Sequence, residues 1–172
     1  MELLKLSSEW AKAEVFSTRF FIVFAILFFA ASIGFWQLGK TELAKAYVIP
    51  TLVAGVLLMT IGLGLFYTNK SRVVQFKKAY REDATAFYQS EIERTESTLK
   101  EYTVVFKVIP ILIIVAALII LFLNSPTWRA IGITNIAMLT IIMLIDGTAY
   151  ARMEVYHTKL LDNKSEIQVS TH

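Results

Sequence analysis

The sequence predicts an all-α integral membrane protein: a four-helix transmembrane bundle with a cytoplasmic helical hairpin between helices 2 and 3. Three observations carry that expectation. Apolar residues gather into four blocks, each about as long as a bilayer's hydrocarbon core is thick. The connections between blocks are short, then long, then short. The basic residues sit almost entirely on one side of the blocks, as they do around membrane spans.

Hydrophobic residues make up 56% of the 172 residues and charged residues 18%, against about 45–50% and about 25% in soluble domains. A soluble core distributes its apolar residues at helical or strand period, whereas a membrane span gathers them into runs of about 20. This chain gathers them. Runs of about 10 residues with polar alternation, the mark of barrel strands, do not occur. In lipid the backbone must satisfy its own hydrogen bonds, so each block is expected to be a helix. The absence of cysteine excludes disulfides, thiol catalysis and cysteine-ligated metals. A net charge of +3 is too small to indicate a nucleic-acid partner.

Residues 1–18 carry Leu3, Leu6, Trp10 and Ala13 at steps of three and four. That spacing, with Trp10 and Lys12 suited to an interface, predicts a short helix lying on the inner membrane surface. Ser8, followed by Glu9, is a candidate start for it. The first block, 20–38, is uncharged. A cleaved signal peptide is not expected, because Glu2, Glu9 and Glu14 precede the block and its apolar run is too long. The second block, 46–67, is also uncharged and carries Pro50 near its start, where proline is tolerated. Between Gly64 and Pro110 there is neither Gly nor Pro, and Val73, Phe76, Tyr80, Ala84, Phe87 and Ile92 recur mostly at helical steps. Residues 68–102 therefore read as a helical hairpin that reverses somewhere in 82–93. Its first arm presents a basic surface of Lys70, Arg72, Lys77, Lys78 and Arg81. Its second carries Glu91, Glu93, Glu96 and Glu101, which could pair with the first. The third block, 103–123, ends at Asn124, Ser125 and Pro126, a turn signal. The fourth, 128–149, continues into a tail, 150–172, with Met153, Tyr156 and Leu160 on one face and fraying expected after Asp162.

Of the 17 Lys and Arg residues, 14 lie in the N-terminal stretch, in the middle loop extended to Lys107, or in the tail, and 3 lie in the two short links. The positive-inside rule then places both termini and the hairpin in the cytoplasm. An even number of spans requires both termini on one side, so the count is self-consistent.

Ionisable residues inside a span raise a functional question. Lys107 and Asp146 lie at depths differing by only about 4–5 Å, counted from the Ser125 turn at about 1.5 Å per residue, on helices joined by a short link. They form a candidate intramembrane polar pair, with snorkelling of Lys107 to the headgroups as the simpler account. Thr134 and Asn135 are candidates for polar packing or for lining a pore. Pro110 is a candidate kink. Ala30, Gly34, Gly55, Gly62, Gly64, Gly147 and Ala151 permit close helix approach. Asp146, Tyr150, Arg152, Glu154 and His157 make the densest polar group, with a Glu154–His157 contact at helical spacing. Ligand number is inadequate for a metal site. No nucleophile motif, phosphate-binding loop or paired catalytic carboxylates occur, so neither enzymatic activity nor a cofactor is expected.

The function these features favour is that of a non-catalytic, multi-pass protein of the cytoplasmic membrane acting through protein–protein interaction, as a small subunit, a regulator or an immunity-type protein. Its partners would be the lipid bilayer and either another protein or copies of itself. The alternative is an oligomeric ion channel gated by the hairpin. Against it, the third block has no polar residue after Pro110, and Thr134, Asn135, Thr140 and Asp146 make no continuous stripe on the fourth.

Overall fold

The computed structural model describes residues 2–169, and side chains through 162. Five helices follow in order: α1 (Glu2–Leu38), α2 (Glu42–Ala46), α3 (Val48–Glu82), α4 (Ala84–Phe122) and α5 (Pro126–Val169). The four long ones have 37, 35, 39 and 44 residues, so each extends about 50–65 Å at 1.5 Å per residue. All four are long and apolar enough to cross a membrane. Each is well over the length that a hydrocarbon core of about 30 Å requires, so each continues beyond its apolar block. Ile26, Leu27, Val56, Leu57, Ile114 and Val115 are among the large apolar side chains left exposed along the blocks. Water would not tolerate so broad an apolar surface, and lipid would cover it.

The breaks at 39–41, 83 and 123–125 coincide with capping or helix-start chemistry, whereas at Tyr47, between α2 and α3, no side chain caps. The Thr41 hydroxyl accepts from the Ala44 N–H and starts α2. Asp83, the single non-helical residue between α3 and α4, accepts from the Thr85 and Ala86 N–H groups through one carboxylate oxygen. It is an N-cap of the preferred type, and it lies at the start of the range expected for the turn. Pro126 is the first residue of α5, where a missing N–H is harmless. Helix α4 runs through Pro110 without interruption.

Successive long helices run in opposite directions. Ser32 donates to the Val48 carbonyl at one end of the α1–α3 pair, and Trp10 lies beside Arg72 towards the other. Phe106 meets Tyr150, and Tyr88 reaches Leu160, across α4 and α5. One end of the bundle, the base, therefore gathers Leu3, Phe76, Phe87 and Leu160, and the opposite end holds α2 and the 123–125 link. Two cores result. The base core comprises Leu3, Trp10, Phe76, Phe87, Met153 and Tyr156, with neighbours. The second, within the apolar blocks, comprises Phe21, Ala25, Ala54, Leu58, Met138 and Ile145. Within its apolar block α4 buries only Ile109 and Ala116.

The N-terminal residues do not form a separate surface helix. No Gly or Pro interrupts 2–33, so α1 is continuous, and Leu3, Ser7, Trp10, Ala11 and Glu14 turn into the base. Helix α5 likewise continues through Val169, past the point where fraying was expected. The expectation for 170–172, including His172, lies outside the described residues.

Candidate functional site

The base is held by polar groups inserted among its apolar side chains. Glu91 is buried, and both of its oxygens accept from Arg94, at 2.9 and 2.7 Å. The Tyr156 hydroxyl donates to Glu91 Oε2 at 2.8 Å and lies 2.8 Å from Ser7 Oγ. Trp10 stacks on Tyr156 with ring centroids 5.2 Å apart. The Arg94 guanidinium lies 4.4 Å from the Trp10 centroid, a cation–π distance. Thr95, fully buried, meets His157 Nδ1 at 2.7 Å, and Tyr88 donates to the Leu160 carbonyl at 2.9 Å. Helices α1, α4 and α5 are thus tied through one charged pair. Burial opposes the charge on Arg94, but the Glu91 carboxylate outweighs it and raises the Arg94 pKa. Burial, and then the Glu91 charge, raises the pKa of Tyr156.

Above this network, where the apolar blocks begin, lies a cavity of about 350 Å³ bounded by all four long helices. Its apolar wall includes Phe21, Ile61, Leu65, Val105, Ile142 and Ile145. Its polar wall includes Glu14, Asn69, Arg72, Glu101, Tyr102 and Asp146. Trp10 also faces it, and the indole N–H is buried without a hydrogen-bond partner. Glu14 reaches the site because it lies one turn beyond Trp10 on the buried stripe of α1. It accepts from Arg152 Nε at 3.0 Å. Burial raises the Glu14 pKa, and Arg152 opposes that rise. Burial, and then the like charge of Arg94, lowers the pKa of Arg72, which donates to Asn69 Oδ1 at 2.9 Å. Burial, with the charges of Glu14 and Asp146, raises the pKa of Tyr102.

Several sequence-predicted residues fall elsewhere than expected. Lys107 and Asp146 do not pair. Asp146 faces the cavity, whereas Lys107 is exposed and absent from its lining. Their depths match, but Lys107 is two residues beyond the cavity-lining Val105, a rotation of about 200° on a helix of 3.6 residues per turn. Arg72 does not belong with the exposed basic surface. It turns to the cavity, while Lys70, Lys77, Lys78 and Arg81 remain outside. Among the described residues no ion pair joins α3 to α4: the acidic arm's Glu91 pairs with Arg94 on its own helix, and Lys78 with Glu82 on its own. His157 meets Thr95 rather than Glu154, and Arg152 meets Glu14. Thr134 is buried with its hydroxyl unpartnered, and Asn135 is half-buried beside it. Sequence reasoning missed the roles of Glu14, Glu91 and Arg94. The signal for Glu14 was its place on the stripe of Leu3, Ser7, Trp10 and Phe21, where an acid is out of character.

The cavity holds carboxylates and a guanidinium but offers no metal set. Among the described residues no three His, Cys, Asp or Glu side chains are arranged to hold an ion. Directly above it, Phe21, Ala25, Leu58, Met138 and Ile145 fill the interior, so it does not continue through the bundle as a polar path. No protein-family model matches this chain, and neither a curated protein nor a solved structure matches it.

Proposed function

We propose that the chain is a non-catalytic, multi-pass protein of the cytoplasmic membrane, with both termini and the α3–α4 hairpin in the cytoplasm, that acts by binding another protein through its base. The observation that carries this reading is an exposed, mainly basic face on a firmly packed support. Phe76 on α3 is buried in the base core, which holds that helix in place. On its outer side Lys77, Lys78, Arg81 and one acid, Glu82, surround a shallow depression with Val73 and Val74. Val74 is 71% exposed, and among the described residues Lys78 alone of these cations has a carboxylate partner, an exposed pair at 3.9 Å with Glu82. Such a pair contributes little, about 0–1 kcal/mol. A partner segment with acidic and apolar side chains matches this face. A small membrane subunit, a regulator and an immunity-type protein all belong to this class.

The test is a photo-crosslinking amino acid placed at Val74 and, as a control, at the exposed Lys159. A discrete adduct from position 74 alone, lost on reversing Lys77, Lys78 and Arg81 to Glu, is the expected result. Equal labelling from both positions, or an adduct indifferent to the reversal, would contradict it.

The channel alternative has one favourable observation. Helix α4 leaves Val104, Val108, Ile111, Leu112, Val115 and Leu118 exposed, a surface on which copies could gather. Because the interior of a single bundle is filled, conduction would require several copies.

A further inference from the structure

We propose that the cavity beside Asp146 holds the headgroup of a zwitterionic lipid bearing both phosphate and ammonium, with its acyl chains leaving between α3 and α4. The proposal rests on the reading that the apolar blocks lie in lipid, and it adds a ligand to the protein-binding role of the base. Its volume of about 350 Å³ falls in the range of ligand sites, about 300–1,000 Å³. The lining charges select the ligand. Arg152 neutralises Glu14. Among the described residues that leaves Asp146 and Glu101 without a cation in ion-pair contact, and Arg72 with Glu14 and Glu91 acting on it at longer range but no carboxylate in contact. Trp10 adds a buried, unpartnered N–H donor. A lone amine would satisfy the carboxylates and leave Arg72 and Trp10 unmatched, and a lone phosphate would do the reverse. A headgroup carrying both groups matches both halves, and an anionic headgroup without the amine would face two carboxylates.

The position of the opening argues for a lipid. Ile61 and Leu65 line the cavity yet are 37% and 40% exposed. Val105 lies on the facing helix, and α3 touches α4 sparsely. An apolar chain leaving there would lie against apolar side chains at membrane depth.

Trp10 supplies the probe. The other two of the 3 tryptophans, Trp36 and Trp128, are 71% and 46% exposed and can be replaced by Phe. The full chain in detergent would be titrated with dihexanoyl phosphatidylethanolamine, dihexanoyl phosphatidylglycerol and free O-phosphoethanolamine while Trp10 fluorescence is followed. The expected result is a saturable change with the first lipid and affinities at least about tenfold weaker for the other two. Asp146→Asn and Arg72→Gln should each weaken binding by about tenfold with the unfolding midpoint unchanged. Should either fail to fold, Val105→Phe narrows the opening from the α4 side and should also weaken binding. Equal affinity for phosphatidylglycerol, or indifference of a folded Asp146→Asn protein, would overturn the proposal. Equal binding of free O-phosphoethanolamine would overturn the lipid-borne part. A wrong membrane topology would show separately, in thiol labelling at Lys40 and Lys77.

Discussion

Replacing Glu91 by Ala is expected to lower the stability of the folded chain by about 3–5 kcal/mol, because it strands a buried guanidinium. The side chain of Glu91 is 4% exposed and that of Arg94 21%, so water can solvate the abandoned charge only in part. The Tyr156 hydroxyl loses its acceptor in the same step. Thermal unfolding in detergent, followed by circular dichroism, reads the effect. The double change Glu91→Met with Arg94→Met should recover most of the loss, since the charge and its counter-charge leave together. A Glu91→Ala protein as stable as the parent would mean that the base is hydrated and the pair does not hold it.

The second large effect is expected at Gly62. A Cβ there would lie 2.9 Å from Phe21 Cβ and 3.2 Å from the Ile22 backbone nitrogen. Backbone cannot yield as a flexible side chain can, so Gly62→Leu forces α1 and α3 apart. Overpacking of this kind costs about 1–3 kcal/mol and occasionally more. Gly64, two residues on, meets nothing within 4 Å. Gly64→Ala should therefore be neutral or stabilising by up to about 1 kcal/mol, the helix-propensity difference. Comparing the two unfolding midpoints checks the packing of α1 on α3. Equal responses would show that this contact is not as close as described.

The long elements were legible because lipid imposes a blunt rule, about 20 apolar residues per span, and all four blocks satisfy it. The link at Asn124, Ser125 and Pro126 was legible as a turn signal, and the caps that Thr41 and Asp83 supply are of a preferred type. Asp83 was nevertheless not singled out, since Glu, Asp and Ser recur through 82–93 and only geometry distinguishes the one whose oxygen meets two N–H groups. Trp10 and Lys12 suggested an interface, but the same stripe of three-and-four spacing also serves a buried face, and the partners of that face lie in α4 and α5. Depth along a helix was readable from residue count, so Lys107 and Asp146 were matched in height. Rotation was not, and it separates them. Gly55, Gly62, Gly34 and Gly147 looked alike as small residues, yet the first two sit against α1 and the last two meet open space.

The chain has no cysteine, which makes single-cysteine labelling the most direct test of the central claim, a four-span bundle standing on a cytoplasmic base. Exposed positions at opposite ends are available: Lys40 and Asn124 beside the links, and Lys77 and Lys159 on the base. Each would be replaced by Cys and treated in intact cells with a membrane-impermeant maleimide. The account predicts labelling at 40 and 124 in intact cells, and at 77 and 159 only after permeabilisation. Labelling of 77 or 159 from outside, or protection of 40 or 124, would contradict it.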